Sequence, residues 1–215
     1  MTMLFVATTG GHLAELFELA SRMEDGDDRL WVTFDALQSR SLLKGQNTAF
    51  VPYVGERDIT GIVRGFARAV EIFRGSRVAA VVSTGSAIAL SFLPYAASRG
   101  IPAHYVESAT RLRDLSLTAR LLEWVPGIRL YRQYPDAAKG RWVYGGCVFD
   151  GFEALEIGGG DVRRVVVTVG IDRGFRRLIQ RVASIIPPGI EVLWQTGNTP
   201  TEGLGINARR FVPAL

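Results

Sequence analysis

A glycine pair followed by a histidine, Gly10-Gly11-His12, has the residue types of a phosphate-binding or proton-transfer site. The glycines allow backbone N–H groups to approach a ligand closely, and the helix that follows offers its N-terminus to an anion. His12 falls in the first turn of that helix, where its imidazole can donate to a phosphate or take a proton from a hydroxyl group. The same residues also fit an ordinary tight turn with a surface histidine. The third glycine of a dinucleotide-binding fingerprint is missing, which disfavours NAD.

Three further segments carry groups that suit a polar ligand. Gly85 and Ser86 end a small-residue turn, and Glu107 and Arg111 follow a later strand. A carboxylate and a guanidinium at a strand end can bind sugar hydroxyls and phosphate, although an ion pair beside a helix N-cap uses the same residue types. Gly170, at the end of a valine-rich strand, is a candidate to seat a nucleotide diphosphate. The neighbouring cluster Arg173, Arg176 and Arg177 either supports that role or forms a charged helix surface.

The other polar residues are interpreted as structural. Ser116 is expected to cap a helix, Asp35 to cap a helix or to form an acceptor contact, and His104 to lie inside a strand. Cys147 is the single cysteine, so an intrachain disulfide and a cysteine-based zinc site are excluded. The two histidines have no spacing typical of a metal site, and no metal is predicted.

Alternating strands and helices must position these residues. Short apolar runs predict strands, and apolar residues at helical spacing predict helices. Strands are predicted over residues 3–7, 30–34, 49–52, 78–82, 102–106 and 127–131, and helices over 13–22, 60–74, 87–98 and 116–124. This order predicts an α/β fold with a Rossmann-like parallel sheet and helices on both faces. Ligands of such sheets bind beyond the carboxyl ends of the strands, where both glycine turns fall.

The pattern changes after residue 150. The sequence predicts a first domain over residues 1–150, a linker over 151–163 and the start of a second Rossmann-like domain over 164–215. That second segment is too short to close a doubly wound domain. We therefore expect it to be incomplete, with the rest supplied by the same gene or by a partner chain.

The composition predicts a folded protein of a reducing compartment. The 215 residues carry a net charge of +4 and are 47% hydrophobic, which excludes disordered and low-complexity classes. The first residues lack the basic region of a signal peptide. The uncharged stretch 78–97 is interpreted as a strand, a turn and a helix rather than a membrane span. A cytoplasmic location is therefore predicted.

Basic residues are concentrated in the middle of the chain. Residues 57–141 contain 13 basic and 6 acidic residues, an excess that suits phosphate or an anionic membrane surface but also arises from genome base composition. The predicted helix 60–74 is amphipathic and contains Arg64, Arg68 and Arg74. It is typical of peripheral membrane attachment and equally of a helix packed on a sheet. No nucleic-acid-binding motif is found, and no nucleic acid partner is predicted.

Six segments together resemble a family of glycosyltransferases. They are Thr8–His12, Val82–Ser86, Glu107–Arg111, Ser116–Leu122, Gln133–Pro135 and Tyr144–Gly146. In order and spacing they resemble the membrane-anchor subunit of the N-acetylglucosaminyltransferase that adds the second sugar to dolichol-diphosphate-linked GlcNAc. They are also similar to bacterial exopolysaccharide glycosyltransferase subunits of that type. Residues 165–215 resemble the beginning of the catalytic, donor-binding partner, and a more distant resemblance is to MurG, the peptidoglycan enzyme that puts GlcNAc on a lipid-linked muramyl pentapeptide.

The resemblance implies a GT-B fold and a hexosyltransferase activity. The reaction would be an inverting, metal-independent and cofactor-free transfer from a UDP-sugar to a polyprenyl-diphosphate-linked acceptor in polysaccharide or glycolipid biosynthesis. The donor that the resemblance implies is UDP-GlcNAc. His12 would be the catalytic base or a diphosphate contact, with Glu107 and Arg111 beside the acceptor. The acceptor diphosphate would be bound by main-chain N–H groups of the two turns, at Gly10, Gly11, Gly85 and Ser86. The donor diphosphate would be bound at Gly170 in the second domain.

The sequence also departs from the family pattern. Ala119 stands where the family has glycine, and the membrane helix of the eukaryotic anchor is not found. Attachment is therefore expected to be peripheral, on the inner face of the plasma membrane. The second segment stops before the donor loop and the sugar-binding carboxylate of the family, so the chain is expected to be inactive alone. Two alternatives remain: a non-catalytic membrane-docking scaffold that recruits a separate donor-domain chain, and a nucleotide-binding α/β protein unrelated to sugars.

Overall fold

A computed structural model describes residues 1–23, 28–55, 58–154, 160–170 and 174–212 of the chain. The chain divides into two compact units, Met1–Glu153 and Ala154–Leu215. Residues 155–159 of the predicted linker and Arg173 of the arginine cluster lie outside the described residues. The predicted domain boundaries stay a prediction.

The described part of the first unit is built on one parallel sheet of seven strands, in the order β3-β2-β1-β4-β5-β6-β7. The strands are β1 (Thr2–Ala7), β2 (Asp28–Phe34), β3 (Thr48–Val51), β4 (Val78–Gly85), β5 (Ala103–Val106), β6 (Ile128–Arg132) and β7 (Trp142–Tyr144). The predicted α/β class with a Rossmann-like parallel sheet is confirmed. The sequence did not predict β7, because three residues are too few for a periodic pattern to be recognised.

Helices connect these strands. They are α1 (Gly11–Ser21), α2 (Leu37–Leu42), α3 (Ile59–Gly75), α4 (Ala89–Ser98) and α5 (Leu117–Leu122), followed by 3₁₀ turns at Pro135–Ala137 and Val148–Gly151. Ser116 caps α5 as predicted, since its hydroxyl accepts a hydrogen bond from the Ala119 N–H at 3.1 Å. The expectation that Asp35 caps a helix is wrong. Its carboxylate binds the Arg40 guanidinium, which lowers the pKa of Asp35, and the Ser39 hydroxyl instead accepts from the N–H of Ala36, the N-cap of α2.

Side chains of β1 alternate between two cores. Leu4 and Val6 join the larger core, which is covered by α3, α4 and α5, whereas Phe5 and Ala7 join the smaller core under α1 and α2. In the smaller core, the Phe5 ring stacks on Trp31 with 4.8 Å between the ring centres. Because both faces of the central strands are apolar and covered, this region has the burial typical of a parallel sheet.

A stripe of small residues brings α3 close to α4. Gly61, Gly65 and Ala69 are buried at four-residue spacing. A Cβ atom on Gly65 would lie 2.5 Å from the Ser91 Oγ and 3.1 Å from its Cβ. The Ser91 hydroxyl is already fixed, because it donates to the Ile62 carbonyl at 2.9 Å. The close packing of the two helices therefore depends on the missing side chain at Gly65.

We expect Gly65→Ala to lower the free energy of unfolding by about 1–3 kcal/mol, the usual cost of inserting a methyl group into a tightly packed contact. Gly75→Ala, in the same helix, is the matched control because nothing lies within 4 Å of the position of its added Cβ. The control should be neutral or stabilising, since alanine favours a helix. Urea unfolding of both variants tests this; a Gly65 variant as stable as the Gly75 variant would contradict the packing account.

The described part of the second unit contains a three-stranded parallel sheet with one helix. The sheet order is β10-β9-β8, from β8 (Arg164–Thr168), β9 (Glu191–Gln195) and β10 (Ala208–Arg209), and the helix is α6 (Arg176–Ile185). Val167 and Trp194 pack on Ile179 of α6. The residues next to them in β8 and β9, Val166 and Leu193, lie on the other face of the sheet and are exposed.

Candidate functional site

The two glycine turns meet at the carboxyl ends of β1 and β4, which are neighbours in the sheet. The Thr8 N–H donates to the Gly85 carbonyl at 3.2 Å, and the Thr84 hydroxyl donates to the His12 carbonyl at 2.7 Å. These bonds fix the start of α1 against the end of β4. Residues more than 70 positions apart in sequence thereby form one border of a site.

A cavity of about 560 Å³ opens beside these turns, entirely within the first unit. Its polar lining comes from α1, the end of β4 and the segment from β5 to α5: His12, Ser86, Tyr105, Glu107, Ser108, Thr110, Arg111, Ser116 and Thr118. Its apolar lining comes from the helices around the mouth and the segment before α5: Ile59, Ile62, Ala87, Leu90, Leu115, Leu117 and Leu121. Four predicted site residues, His12, Ser86, Glu107 and Arg111, thus line the same cavity. The volume is in the range of small-molecule sites.

His12 lines the cavity, and one of its ring nitrogens has no hydrogen-bond partner among the described residues. Its side chain is half-buried beside Gly85, where a Cβ would lie 3.3 Å from the imidazole Cε1 and 3.4 Å from Nδ1. Nδ1 is buried and has no hydrogen-bond partner among the described residues. An imidazole held in this way can bind a ligand oxygen or accept a proton from it.

The glycines differ in what their N–H groups can do. The Gly10 N–H donates to the Gln38 side-chain oxygen, whose amide donates back to the Gly10 carbonyl at 3.0 Å. The Gly85 N–H donates to the Ser83 hydroxyl at 3.2 Å. Gly10 and Gly85 have positive φ angles of 94° and 108°, which glycine adopts readily. The N–H groups of these two residues are therefore already bonded, and the residues serve to shape the turns. Of the predicted donors, Gly11 at the start of α1 and Ser86 have N–H groups without a partner among the described residues.

Glu107 organises the floor of the cavity. It is 1% exposed, and its Oε1 accepts from the Ser108 N–H at 3.1 Å and the Tyr105 hydroxyl at 3.3 Å. Oε2 accepts from the Ser116 N–H at 2.9 Å. Among the described residues Glu107 has no ion-pair partner, so the alternative of an ordinary ion pair does not hold. The carboxylate links the end of β5 to the cap of α5.

Tyr105 joins the same network. Its hydroxyl lies 3.2 Å from the Ser116 Oγ as well as near Glu107, and the side chain is 1% exposed. Burial first, and then the Glu107 charge, raise the pKa of the phenol far above its ordinary value. Tyr105 therefore remains a neutral hydrogen-bonding group at the bottom of the cavity.

Arg111 supplies positive charge at the cavity. Its side chain is exposed, and no carboxylate lies within 4.0 Å of it in the described part of the chain. Its carbonyl accepts from the buried guanidinium of Arg132 at 3.0 Å, which fixes the backbone at this position. An anchored backbone with a free guanidinium suits recognition of a phosphate.

Sequence reasoning missed the residues that hold this loop. The Glu15 carboxylate accepts from the Ala109 N–H at 2.7 Å and from the Gln133 amide at 2.5 Å. The Gln133 amide also donates to the Glu107 carbonyl at 3.0 Å, and the Tyr134 hydroxyl donates to the Ala109 carbonyl at 2.8 Å. Arg132, Gln133 and Tyr134, the clamp at the end of β6, thus hold residues 107–112. Only the Gln133-Tyr134 pair carried a signal, as part of the family resemblance.

The remaining predicted residues lie elsewhere. His104 is in β5 as predicted, stacked on Tyr131, and burial followed by the Arg129 charge lowers its pKa. Gly170 follows β8 in the second unit and is exposed, with no atom of the described residues within 4 Å of an added Cβ. Arg176 donates to the carbonyls of Pro200 and Glu202 at 2.7 and 2.8 Å and so holds the loop that contains them against α6.

The exposed side of α3 is more apolar than basic. Ile59, Val63 and Phe66 are exposed at the spacing of one helix face. Arg64 lies 4.0 Å from the Asp58 carboxylate, and Arg68 pairs with Glu71. Two of the three arginines predicted to face a membrane are thus partly neutralised by their own helix.

No helix in the described ranges is both long and apolar enough to cross a membrane. The described residues also contain no group of three His, Cys, Asp or Glu side chains arranged to hold a metal ion.

Comparison with solved structures identifies the fold. MurG of Acinetobacter baumannii superposes with a TM-score of 0.60 at 16% identity, covering 95% of this chain and 61% of the MurG chain. The fold is of the GT-B type. The glycotransferase of kitacinnamycin has the same GT-B architecture, with a TM-score of 0.52 at 13% identity over 99% of this chain and 71% of its own.

A third GT-B-like structure is UDP-N-acetylglucosamine 2-epimerase from Rickettsia bellii, with a TM-score of 0.53 at 14% identity. It covers 70% of this chain, which spans 47% of the epimerase chain. The chain thus spans less than two thirds of both MurG and the epimerase. No family model matches the sequence, and no curated protein matches it.

Proposed function

We propose that this protein takes part in sugar transfer from a UDP-sugar to a polyprenyl-diphosphate-linked acceptor, and that its first unit binds the acceptor. The observation that carries the proposal is the cavity lined by His12, Ser86 and Arg111 at the carboxyl ends of the parallel strands. Ligands of open α/β sheets bind at this edge. The GT-B fold supports a glycosyltransferase, since two of the similar structures are named for UDP-N-acetylglucosamine or for a glycotransferase.

The charges of the cavity suit a diphosphate better than a neutral sugar. Arg111 offers a guanidinium without a carboxylate partner among the described residues, and Gly11 opens α1 with its positive helix end. Glu107, the carboxylate in the lining, is turned inward to three donors. The negative charge of Glu107 is therefore stabilised by hydrogen bonds within the protein. A ligand in the cavity would contact Arg111 and His12 instead.

In the proposed reaction His12 takes the proton of the acceptor hydroxyl as that oxygen attacks the anomeric carbon of the donor sugar. The bond from that carbon to UDP breaks, and UDP leaves with the bonding electrons. Attack from the face opposite UDP inverts the anomeric carbon. The donor is UDP-GlcNAc by the family resemblance, and Gly170 is proposed to support its diphosphate, with a separate donor-domain chain as a proposed partner. The proposed chemistry uses no metal or cofactor.

We also propose peripheral attachment to the inner face of the plasma membrane. Val63 and Phe66 of α3 and Trp124, which follows α5, are exposed large apolar side chains, and Trp124 is 86% exposed. Arg74 and Arg120 are exposed cations of the same helices α3 and α5. Apolar insertion with flanking cations is a recognised mode of interfacial binding.

Calorimetric titration of the chain with a water-soluble, short-chain prenyl-diphosphate-GlcNAc tests the acceptor role. We expect binding that Arg111→Gln weakens about tenfold to a hundredfold, the range for a lost charge-assisted hydrogen bond. Arg113→Gln is the matched control, because Arg113 is an exposed neighbour outside the cavity lining. Tight UDP or UDP-GlcNAc binding with no binding of the acceptor would overturn the proposal and favour an unrelated nucleotide-binding protein.

A further inference from the structure

The cavity has two chemically different halves. One half is the polar floor described above, with His12, Ser86 and Arg111. The other half, here called the aliphatic wall, is formed by Ile59 and Ile62 of α3, Leu90 of α4, Leu115, and Leu117 and Leu121 of α5. Both halves belong to one continuous space of about 560 Å³. A ligand that fills it must be polar at one end and apolar at the other.

The fold leaves three of the six wall side chains exposed, whereas Ile62, Leu90 and Leu115 are half-buried and also pack against the larger core. Ile59 is 74% exposed, Leu117 54% and Leu121 48%. Isolated exposed aliphatic residues are common on protein surfaces, but several converging on one polar cavity are not. Ser116 and Glu107 fix the start of α5, so Leu117 and Leu121 are held at the cavity edge. The wall is thus part of the site rather than a random surface feature.

The wall also indicates what the apolar end of the ligand is. All six side chains are branched aliphatic, and Tyr105, the one Phe, Tyr or Trp among the described lining residues, is buried and hydrogen-bonded to Glu107. A nucleotide base would require a stacking surface or polar groups at its edge. A branched hydrocarbon requires neither.

We infer that the aliphatic wall binds the first isoprene units of the acceptor, directly beside its diphosphate. This inference rests on the proposed function, because it assumes that the polar floor holds the diphosphate. It predicts that the protein recognises the lipid within the cavity, in solution, and independently of the exposed residues that would contact a membrane. The protein would then select a prenyl diphosphate over a soluble diphosphate before any membrane contributes.

The test compares inorganic diphosphate with geranyl diphosphate, titrated into the whole chain without membranes or detergent. We expect geranyl diphosphate to bind at least about tenfold more tightly, because the wall buries part of its hydrocarbon. Leu117→Gln combined with Leu121→Gln should remove this ratio while leaving the affinity for inorganic diphosphate unchanged. Glutamine is a good helix former, so α5 should persist, and circular dichroism checks this.

Two controls separate the wall from its surroundings. Trp124→Gln changes an exposed apolar residue outside the cavity and should keep the ratio. Ile59→Gln changes the wall from α3 and should lower the ratio even if the α5 variant does not fold. Equal binding of both probes by the unchanged protein, or an undiminished ratio in both wall variants, would overturn the inference alone. Binding of neither probe would overturn the diphosphate site of the proposed function as well.

Discussion

Replacing His12 by alanine is expected to lower sugar transfer by a factor of about 100 to 10,000, the usual contribution of a general base. His12 lines the cavity, and its buried Nδ1 has no partner in the described part of the chain. The bond that fixes this residue to β4 runs from the Thr84 hydroxyl to the His12 backbone carbonyl, which alanine retains. The fold should therefore survive, and the lost turnover should reflect chemistry.

The assay follows labelled sugar transfer by the complete enzyme, with a donor-domain chain present where transfer needs one. His104→Gln is the matched control, since His104 lies in β5 outside the cavity lining. A large fall in kcat identifies His12 as the base, whereas a rise in the acceptor KM alone identifies a diphosphate contact. Unchanged turnover and KM would remove His12 from the mechanism and would favour the non-catalytic scaffold.

Replacing Glu107 by glutamine is expected to lower the free energy of unfolding by about 2–3 kcal/mol. Both carboxylate oxygens accept hydrogen bonds, from the Ser108 and Ser116 N–H groups and the Tyr105 hydroxyl. A glutamine amide would place its own NH₂ group against one of these donors. One buried N–H or O–H group then loses its acceptor, which costs about 1–3 kcal/mol, in addition to the lost charge-assisted bond.

Urea unfolding measures this effect, with Glu71→Gln as the control. Glu71 pairs with Arg68 on the surface of α3 and its side chain is 65% exposed, so the change should cost no more than about 1 kcal/mol. The Glu107 variant should also bind the acceptor more weakly, because Ser116 and the start of α5 lose their link to β5. Equal stability of the two variants would contradict the organising role of Glu107.

The sequence predicted the features that depend on interactions between residues close together in the chain. The alternation of predicted strands and helices indicated the parallel sheet. The serine before α5 was correctly predicted to cap it, because the acceptor and the donor are three residues apart. Asp35 looked equally suitable as a cap. Its carboxylate pairs with Arg40, and Ser39 provides the hydrogen bond instead, a competition that composition does not reveal.

The inner support of the site depended on distant pairs and was not predicted. Glu15 meets Ala109 across 94 positions and Gln133 across 118 positions. The sequence placed Glu107 near the site but did not indicate whether its carboxylate faces the ligand or the protein. That choice depends on which N–H groups the folded loop directs at it, and the loop is held by the clamp at the end of β6.

The adjacency of β1 and β4 has a consequence for synthesis of the chain. Thr2 pairs with Asp28 on one side and with Val78 on the other. While the ribosome is still making the residues before β4, β1 can pair only with β2, and its second edge stays open in an apolar strand. An open apolar strand edge readily pairs with other molecules. The nascent protein therefore passes through a stage that is prone to aggregation, and this stage ends when the strand that completes the two glycine turns arrives.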